Sequence, residues 1–479
     1  MTRARRDLDA AVHAALRSAG LSPRDRLVVG LSGGVDSQTL THSLAQLRAR
    51  GDGPDLRLVY VDHRLRSASS DDARRVARIA EAFDLPLDVV QVNVDEWDAA
   101  LGQGLEAAAR AARYAALAGA AQDWRTNWVA VGHNLDDQVE TILLRLARGA
   151  GLDGLAGMRA VSSRVVSLDP AGTRQTTVNL LRPLLSLRRA AIEAYAAEHG
   201  LVPVVDESNV DPRFRRNALR HELIPVLERI VPGASASIAR TSDLIADDVD
   251  FLNDLAAAAF ERCCRRSGAL VWLDRQAFRE QPLALQRRTV LLAVRAVSNE
   301  LALTRERVEA LRTAALEGTV ASRIEIGGGM TALVDYDAVL IGPEVQLEPE
   351  LRRRSGLPEL EPGTVIALER SMSVSAGSCW TIEIEHPSQT PGWVLRTRRP
   401  GDRILRPDGH HARLQDWLVD RKMPVALRDS LPLLVRDGEV RWVAGVSEND
   451  YEDVHSRLSA RLVKRTGDAQ RDGEHAPDN

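Results

Sequence analysis

"LVVGLSGGVDSQTL", residues 27–40, carries an apolar run into two glycines, an acid and two serines, then resumes an apolar rhythm. That pattern is a strand, a tight turn and the opening of a helix. Gly33 and Gly34 let the backbone approach an anion, the helix start supplies unpaired N–H groups, and Ser32 and Ser37 add hydroxyls around Val35. The best-known phosphate loop ends in Gly-Lys-Ser or Gly-Lys-Thr, and no lysine stands here. Bare phosphate would repel Asp36, so its presence predicts a bridging Mg²⁺.

Outward from the loop, strand-length apolar runs at 26–31, 56–63, 87–94, 128–134 and 178–184 alternate with stretches of helical periodicity. That alternation predicts an α/β domain over 1–218, a doubly wound parallel sheet with helices on both faces. Ligands bind such sheets at the carboxyl ends of the strands, where residues 32–37 fall. From Leu219 the period stays near 3.6, which predicts a mostly helical domain over 219–345, ending in a small hairpin system from Val320. An acidic, proline-bearing stretch, 346–365, reads as a linker, 366–466 as an α+β domain, and the polar tail 467–479 as disordered.

Composition narrows the function. With 44% hydrophobic and 27% charged residues, and no apolar run long enough to span a bilayer, the chain has the balance of a soluble protein with no membrane partner. The amino-terminal stretch lacks an apolar signal core and carries Asp7 and Asp9, so a cytoplasmic location is expected. Cys263, Cys264 and Cys379 have neither zinc-ligand nor redox spacing. A nucleic-acid partner cannot be read from the net charge of -4, but arginine gathers at 211–220 and again at 393–424.

A second constellation lies in "GHNLDDQVETILLRLARG", residues 132–149. His133 falls at a strand end, and Asp136, Asp137, Glu140 and Thr141 fall in the first turns of the next helix. Acids suit a helix start as ordinary caps. Three acids and a histidine exceed that need, and an ammonium group or Mg²⁺ would satisfy them.

"SGGVDS" after a strand resembles the PP-loop of the ATP pyrophosphatases, which cleave between the α and β phosphates. A loop that grips departing pyrophosphate does not need the lysine of γ-phosphate transfer. Together with "LEAAARAARYAAL" (105–117), "RPLLSLRRAAI" (182–192), "DESNVDPRFRRNALRHELIP" (206–225) and "RTRRPGDRI" (396–404), the chain resembles the tRNA(Ile)-lysidine synthetase family from Leu27 to about Val446. The resemblance implies that ATP adenylates the wobble cytidine of the isoleucine tRNA with a CAU anticodon, and that free L-lysine then displaces AMP. It implies ATP contacts at Ser32, Gly33, Gly34, Val35, Asp36, Ser37 and His63, and Mg²⁺ at Asp36 and Asp137. It assigns catalysis to Asp36, Arg113, His133, Asp137 and Glu140, without dividing lysine recognition from metal binding between the acids. It implies tRNA contacts at Arg213, Arg215, Arg216, Arg220, Arg396, Arg398, Arg399, Arg403 and Arg413, and a homodimer as a family property. The rivals are a PP-loop tRNA thiolase, which would need paired cysteines, a glutamine-dependent synthetase, which would need a glutaminase domain, and a tRNA-binding protein with a relict nucleotide fold.

Overall fold

The computed structural model describes residues 3–63, 69–102, 104–204, 215–298, 301, 303–386, 391–406 and 409–465. Arg213 and the 467–479 tail lie outside the described residues. The chain divides into two compact units, Met1–Phe251 and Leu252–Asn479.

In the first unit the order is α1 (Arg3–Ser18), β1 (Arg26–Gly30), α2 (Val35–Ala49), β2 (Asp55–Asp62), α3 (Ser69–Ala82), β3 (Leu87–Gln91), α4 (Val94–Leu101), α5 (Leu105–Asp123), β4 (Trp128–Ala130), α6 (Leu135–Ala147), α7 (Leu152–Leu155), β5 (Val161–Ser167), β6 (Gln175–Leu181), α8 (Arg189–Glu198) and α9 (Arg215–Ala218). A π-helical turn, Leu219–Leu223, leads into α10 (Ile224–Ile230), and α11 (Ala234–Cys263) runs through the division between the units. The sheet order is β3-β2-β1-β4-β6-β5, parallel throughout except for β5, which pairs antiparallel with β6.

Strand β1 shows why both faces are covered. Leu27 and Val29 pack into one core with Leu8, Val12 and Leu16 of α1 and Leu40 and Leu44 of α2. Val28, on the opposite face, packs with Ala108, Ala112 and Leu117 of α5. Successive strand residues point to opposite faces, so a continuous apolar run is what a doubly covered strand requires. The first core helix positions are equally legible, since Leu8, Val12 and Leu16 repeat at a spacing of four.

Two elements of this unit depart from expectation. Strand β5 has no counterpart among the expected strands, because as an edge strand it exposes Ser163, Arg164 and Val165 and so has no apolar run. The unit also extends past the expected boundary at 218, with Ala246 and Val249 of α11 packed on Ala156.

The second unit opens with a hairpin, β7 (Cys264–Ser267) and β8 (Leu270–Asp274), inside the stretch expected to be helical. Helices α12 (Arg275–Arg279), α13 (Leu283–Val297) and α14 (Arg305–Glu317) follow, then β9 (Arg323–Gly327), β10 (Met330–Val334) and β11 (Ala338–Pro343). The hairpin joins them in an antiparallel sheet of order β7-β8-β11-β10-β9. Beyond it lie two further sheets built from short strands between Val365 and Lys464, with Trp393 and Trp442 buried in their core.

The stretch expected as a linker is helical over Glu344–Ser355, here α15. Leu347 and Leu351, one turn apart, pack with Leu270, Trp272, Leu333 and Leu340. Its charge and Pro349 disguise this narrow apolar stripe. Leu347 is fully buried, so Leu347→Ala should cost about 2–5 kcal/mol in urea unfolding. A linker position would tolerate the same change within about 0.5 kcal/mol.

Candidate functional site

Strand β1 ends where Leu31 N–H donates to Val59 O of β2. The chain then turns through Gly33, whose φ of +84° favours glycine. A Cβ there would also lie 3.1 Å from Val76 Cγ2 and 3.2 Å from Val204 Cγ2. The Gly33 carbonyl is pinned by Val204 N–H at 2.9 Å and by the Gln38 amide at 2.7 Å. Ser37 Oγ donates to Gly34 O at 3.0 Å and lies 3.1 Å from Ser32 Oγ, which closes the loop on itself. Gly34 caps α2 without any side-chain hydrogen bond, so the first-turn N–H groups are left for a ligand.

The loop forms one wall of a cavity of about 430 Å³, bounded also by Val59, His63, Arg113, Tyr114 and His133. Gly132 sets its depth. A Cβ at that position would stand 3.1 Å from both Asp36 C and Ser37 N, so the end of β4 lies backbone to backbone against α2.

The acids occupy one side of this site. Asn134 caps α6: its Oδ1 accepts from Asp137 N–H at 3.0 Å, while its own N–H donates to Asp137 Oδ2 at 3.0 Å, a capping box. Its Nδ2 donates to Asp36 Oδ1, also at 3.0 Å. Asp36 thus sits at the hinge between the loop and α6, with Arg189 Nη1 3.6 Å from its other oxygen. Burial raises the Asp36 pKa, and the pull of Arg189 and Asn134 does not cancel it. Asp136 faces away from the cavity acids, accepting from Arg189 N–H at 2.8 Å and pairing with Arg188 at 3.1 Å, and so docks α8.

Arg220 does not stand where a tRNA-binding arginine was expected. Its Nε donates to Glu140 Oε1 at 2.6 Å and its Nη2 to Asp137 Oδ1 at 3.0 Å. The π-helical turn that carries it supplies this reach, and such turns recur at functional sites. Glu140 is buried, and that burial raises its pKa more than Arg220 lowers it. Both Asp137 oxygens accept hydrogen bonds at 3.0 Å, from Arg220 and from Asn134 N–H, whereas among the described residues Asp36 Oδ2 has only Arg189 at 3.6 Å and is the freer to take a metal. Asp36 suits one, because Mg²⁺ takes one or two carboxylates alongside substrate phosphates.

The opposite side is basic. Burial, followed by the charges of Arg182, Arg113, Arg110 and Arg216, holds His133 well below the usual histidine range. Burial and then Arg113 lower His63 as well. Both shifts favour the neutral ring, and among the described residues the buried Nδ1 of each has no hydrogen-bond partner. Neutral rings suit a nucleotide base or sugar better than a phosphate.

The remaining expected tRNA contacts divide. Arg215 is exposed, and Arg216 is exposed within 3.9 Å of Glu106. In the second unit Arg396 forms a two-pronged pair with Asp402, both bonds at 2.7 Å and the side chain 6% exposed. It braces a turn and offers no surface to RNA. Arg398 pairs with Asp429 and Gln415. Arg399, Arg403 and Arg413 are exposed, and the last two face each other across neighbouring strands. Asn134, Gly132, Tyr114 and Arg189 were not among the expected site residues. The spacing of Asn134 and Asp137 before an apolar run was the signal that could have found the first.

Residues 4–227 match the PP-loop domain family, and residues 394–457 match the TilS substrate C-terminal domain. The chain is 36% identical to the tRNA(Ile)-lysidine synthase of Symbiobacterium thermophilum, covering 94% of this chain and 96% of that protein. It is 32% identical to that of Geobacter sulfurreducens, covering 92% and 93%, and 29% identical to that of Dehalococcoides mccartyi, covering 93% and 96%.

The raised Asp36 pKa has a signed consequence for stability. The folded chain binds this proton more tightly than the unfolded chain, so the charged carboxylate costs stability at pH values above the ordinary 3.8. Below that value both states are protonated and the cost disappears. Asp36→Asn keeps an acceptor for Asn134 and should raise the calorimetric melting midpoint at pH 7, with no gain near pH 3. An equal gain at both would exclude the ionised carboxylate as the cause.

Proposed function

Because this chain belongs to the tRNA(Ile)-lysidine synthase family, we propose that it joins free L-lysine to C2 of the wobble cytidine in the isoleucine tRNA with a CAU anticodon. The observation that carries this is the hydrogen-bonded chain from the phosphate loop through Asp36, Asn134 and Asp137 to Arg220 and Glu140, which ties an acid pair to the loop at the cavity wall.

ATP lies in the cavity with its phosphates on residues 32–37. The cytidine O2 attacks the α phosphorus, the bond to the β-phosphate bridging oxygen breaks, and pyrophosphate leaves into the loop. Arg113, at the cavity wall, offsets charge that builds on the α phosphate. Mg²⁺, held by Asp36 and the phosphates, would screen the triphosphate. His63 and His133, kept neutral, face the nucleoside.

Adenylation turns a poor oxygen leaving group into a good one. The lysine ε-amine, as the free base, then attacks C2, the C2–N bond forms, the C2–O bond breaks, and AMP departs with the electron pair. Asp137 and Glu140 attract lysine as a cation. Glu140, whose pKa burial raises, is the better placed of the two to accept the proton that lysine sheds.

A thiolase is the weaker reading, since all three cysteines lie beyond residue 251, with Cys263 and Cys264 buried. Burial also pushes their thiols up, away from reactivity.

The purified protein should transfer label from lysine to CAU-anticodon isoleucine tRNA in the presence of ATP and Mg²⁺, with elongator methionine tRNA unmodified. No transfer would sink the proposal. Arg113→Ala should lower kcat for tRNA adenylation by about 10²–10³. Asp36→Ala should abolish tRNA-dependent ATP/pyrophosphate exchange while tRNA affinity stays nearly unchanged; parallel loss of both would refute that division of labour.

A further inference from the structure

Behind the cavity lies a cluster of arginines of which only Arg113 takes part in the nucleotide chemistry proposed above. Arg110 and Arg113 come from α5, Arg145 from the last turn of α6, Arg164 from edge strand β5, and Arg182 from the end of β6. Arg110, Arg113, Arg164 and Arg182 gather around the buried ring of Tyr114, with Arg145 near Arg110. The guanidinium carbons of Arg164, Arg110 and Arg113 stand 4.6, 5.2 and 5.8 Å from its centroid. Arg110 Nη2 also donates to Tyr114 Oη at 3.4 Å.

Among the described residues, no carboxylate forms an ion pair with any of the five. Their fixed partners are neutral. Arg182 Nη1 donates to Arg159 O and Ser162 Oγ, its buried Nε has no hydrogen-bond partner among the described residues, and Arg145 Nη1 donates to Gly154 O and Gly157 O. A ring face offsets only a small part of each cation's burial cost. Burial, and then the charges of Arg110 and Arg216, depress the pKa of Arg145. Like charges this close are a standing cost unless an anion joins them.

The triphosphate is not that anion. Strand β5 lies three strands from β1, which places it about 14 Å across the sheet from the phosphate loop. The cluster touches the cavity through Arg113 and Tyr114 and reaches solvent at Arg164. It therefore leads from the reaction centre out to the sheet edge, a path for an extended polyanion.

We propose that Arg110 and Arg164, arrayed on Tyr114, hold successive backbone phosphates of the single-stranded RNA loop whose base enters the cavity. This rests on the tRNA-modifying reading above. Arg182, buried beneath them, is a positioning residue. The contacts are to phosphate and carry no sequence information, so they orient the loop and leave discrimination to the cavity and to the rest of the tRNA.

The test is fluorescence anisotropy of a dye-labelled anticodon stem-loop RNA over a KCl series, without ATP or lysine, for the full chain and for Arg110→Gln, Arg164→Gln and the double variant. Each single change should reduce the slope of log affinity against log salt by about 0.7, and the double by about 1.4, the release expected per single-strand phosphate contact. ATP affinity, titrated in parallel, should stay within about twofold, as separate sites require. An unchanged slope in the double variant overturns the proposal, as does a loss of ATP affinity in place of RNA affinity. Arg164→Gln alters an exposed edge position and keeps the test readable if the α5 change impairs folding. Failure of lysine transfer by the unaltered protein would strike the functional reading and leave this slope interpretable.

Discussion

One buried side chain connects the two halves of the site. Asn134, with no solvent exposure, spends its amide N–H₂ on Asp36, its amide oxygen on the Asp137 N–H, and its backbone N–H on the Asp137 carboxylate. The helix that follows the phosphate loop and the helix that bears the acids thus share a single hydrogen-bonded joint. Bonds of this kind to charged groups contribute about 1.5–3 kcal/mol each. Their larger effect is geometric. Asp36 cannot shift toward a bound phosphate without pulling on Asp137, nor Asp137 toward a bound cation without pulling on Asp36.

Around that joint the charges separate. Asp137 and Glu140 of α6 connect through Asn134 to Asp36 of the cavity wall, while Arg113 of α5 lines the cavity and Arg164 of β5 lies behind it on Tyr114. Burial, and then the nearby arginines, favour the neutral forms of His63 and His133, so neither ring adds a charge beside Arg113. The same field would stabilise an anionic nucleotide at one wall and an ammonium at the other. A site of uniform sign could not hold both substrates of a ligase that joins an amine to a phosphorylated intermediate.

The sequence made the central strands legible because burial on both faces leaves continuous apolar runs, as in β1 and β2. It made the phosphate loop legible because only glycine tolerates the Gly33 backbone and packing. It hid β5, whose exposed residues need no apolar pattern, and α15, whose stripe is two leucines among charges. Arginine was the least readable residue. Arg220, Arg396 and Arg403 look alike in a basic stretch, yet the first bridges two site acids, the second braces a buried turn, and the third is exposed. Partners decide what an arginine does, and they come from segments distant in sequence. Tyr114 was hidden for the same reason, since its importance lies in the arginines that surround it.

The absent lysine of the phosphate loop bears on the acid pair. Within the first unit every basic side chain that is permanently charged is an arginine, for the chain's two lysines are Lys422 and Lys464. Arg220 on Glu140 and Asp137 cannot release its proton, so it offsets one of the two negative charges whatever the pH. What is left is a net single negative charge, enough to attract one ammonium group. Two uncompensated carboxylates would bind lysine more tightly but would hold its proton against the loss that attack requires. In the proposed reaction Arg220 therefore sets the strength of that hold: it weakens the grip on the cation so that the free amine can form beside the adenylated base.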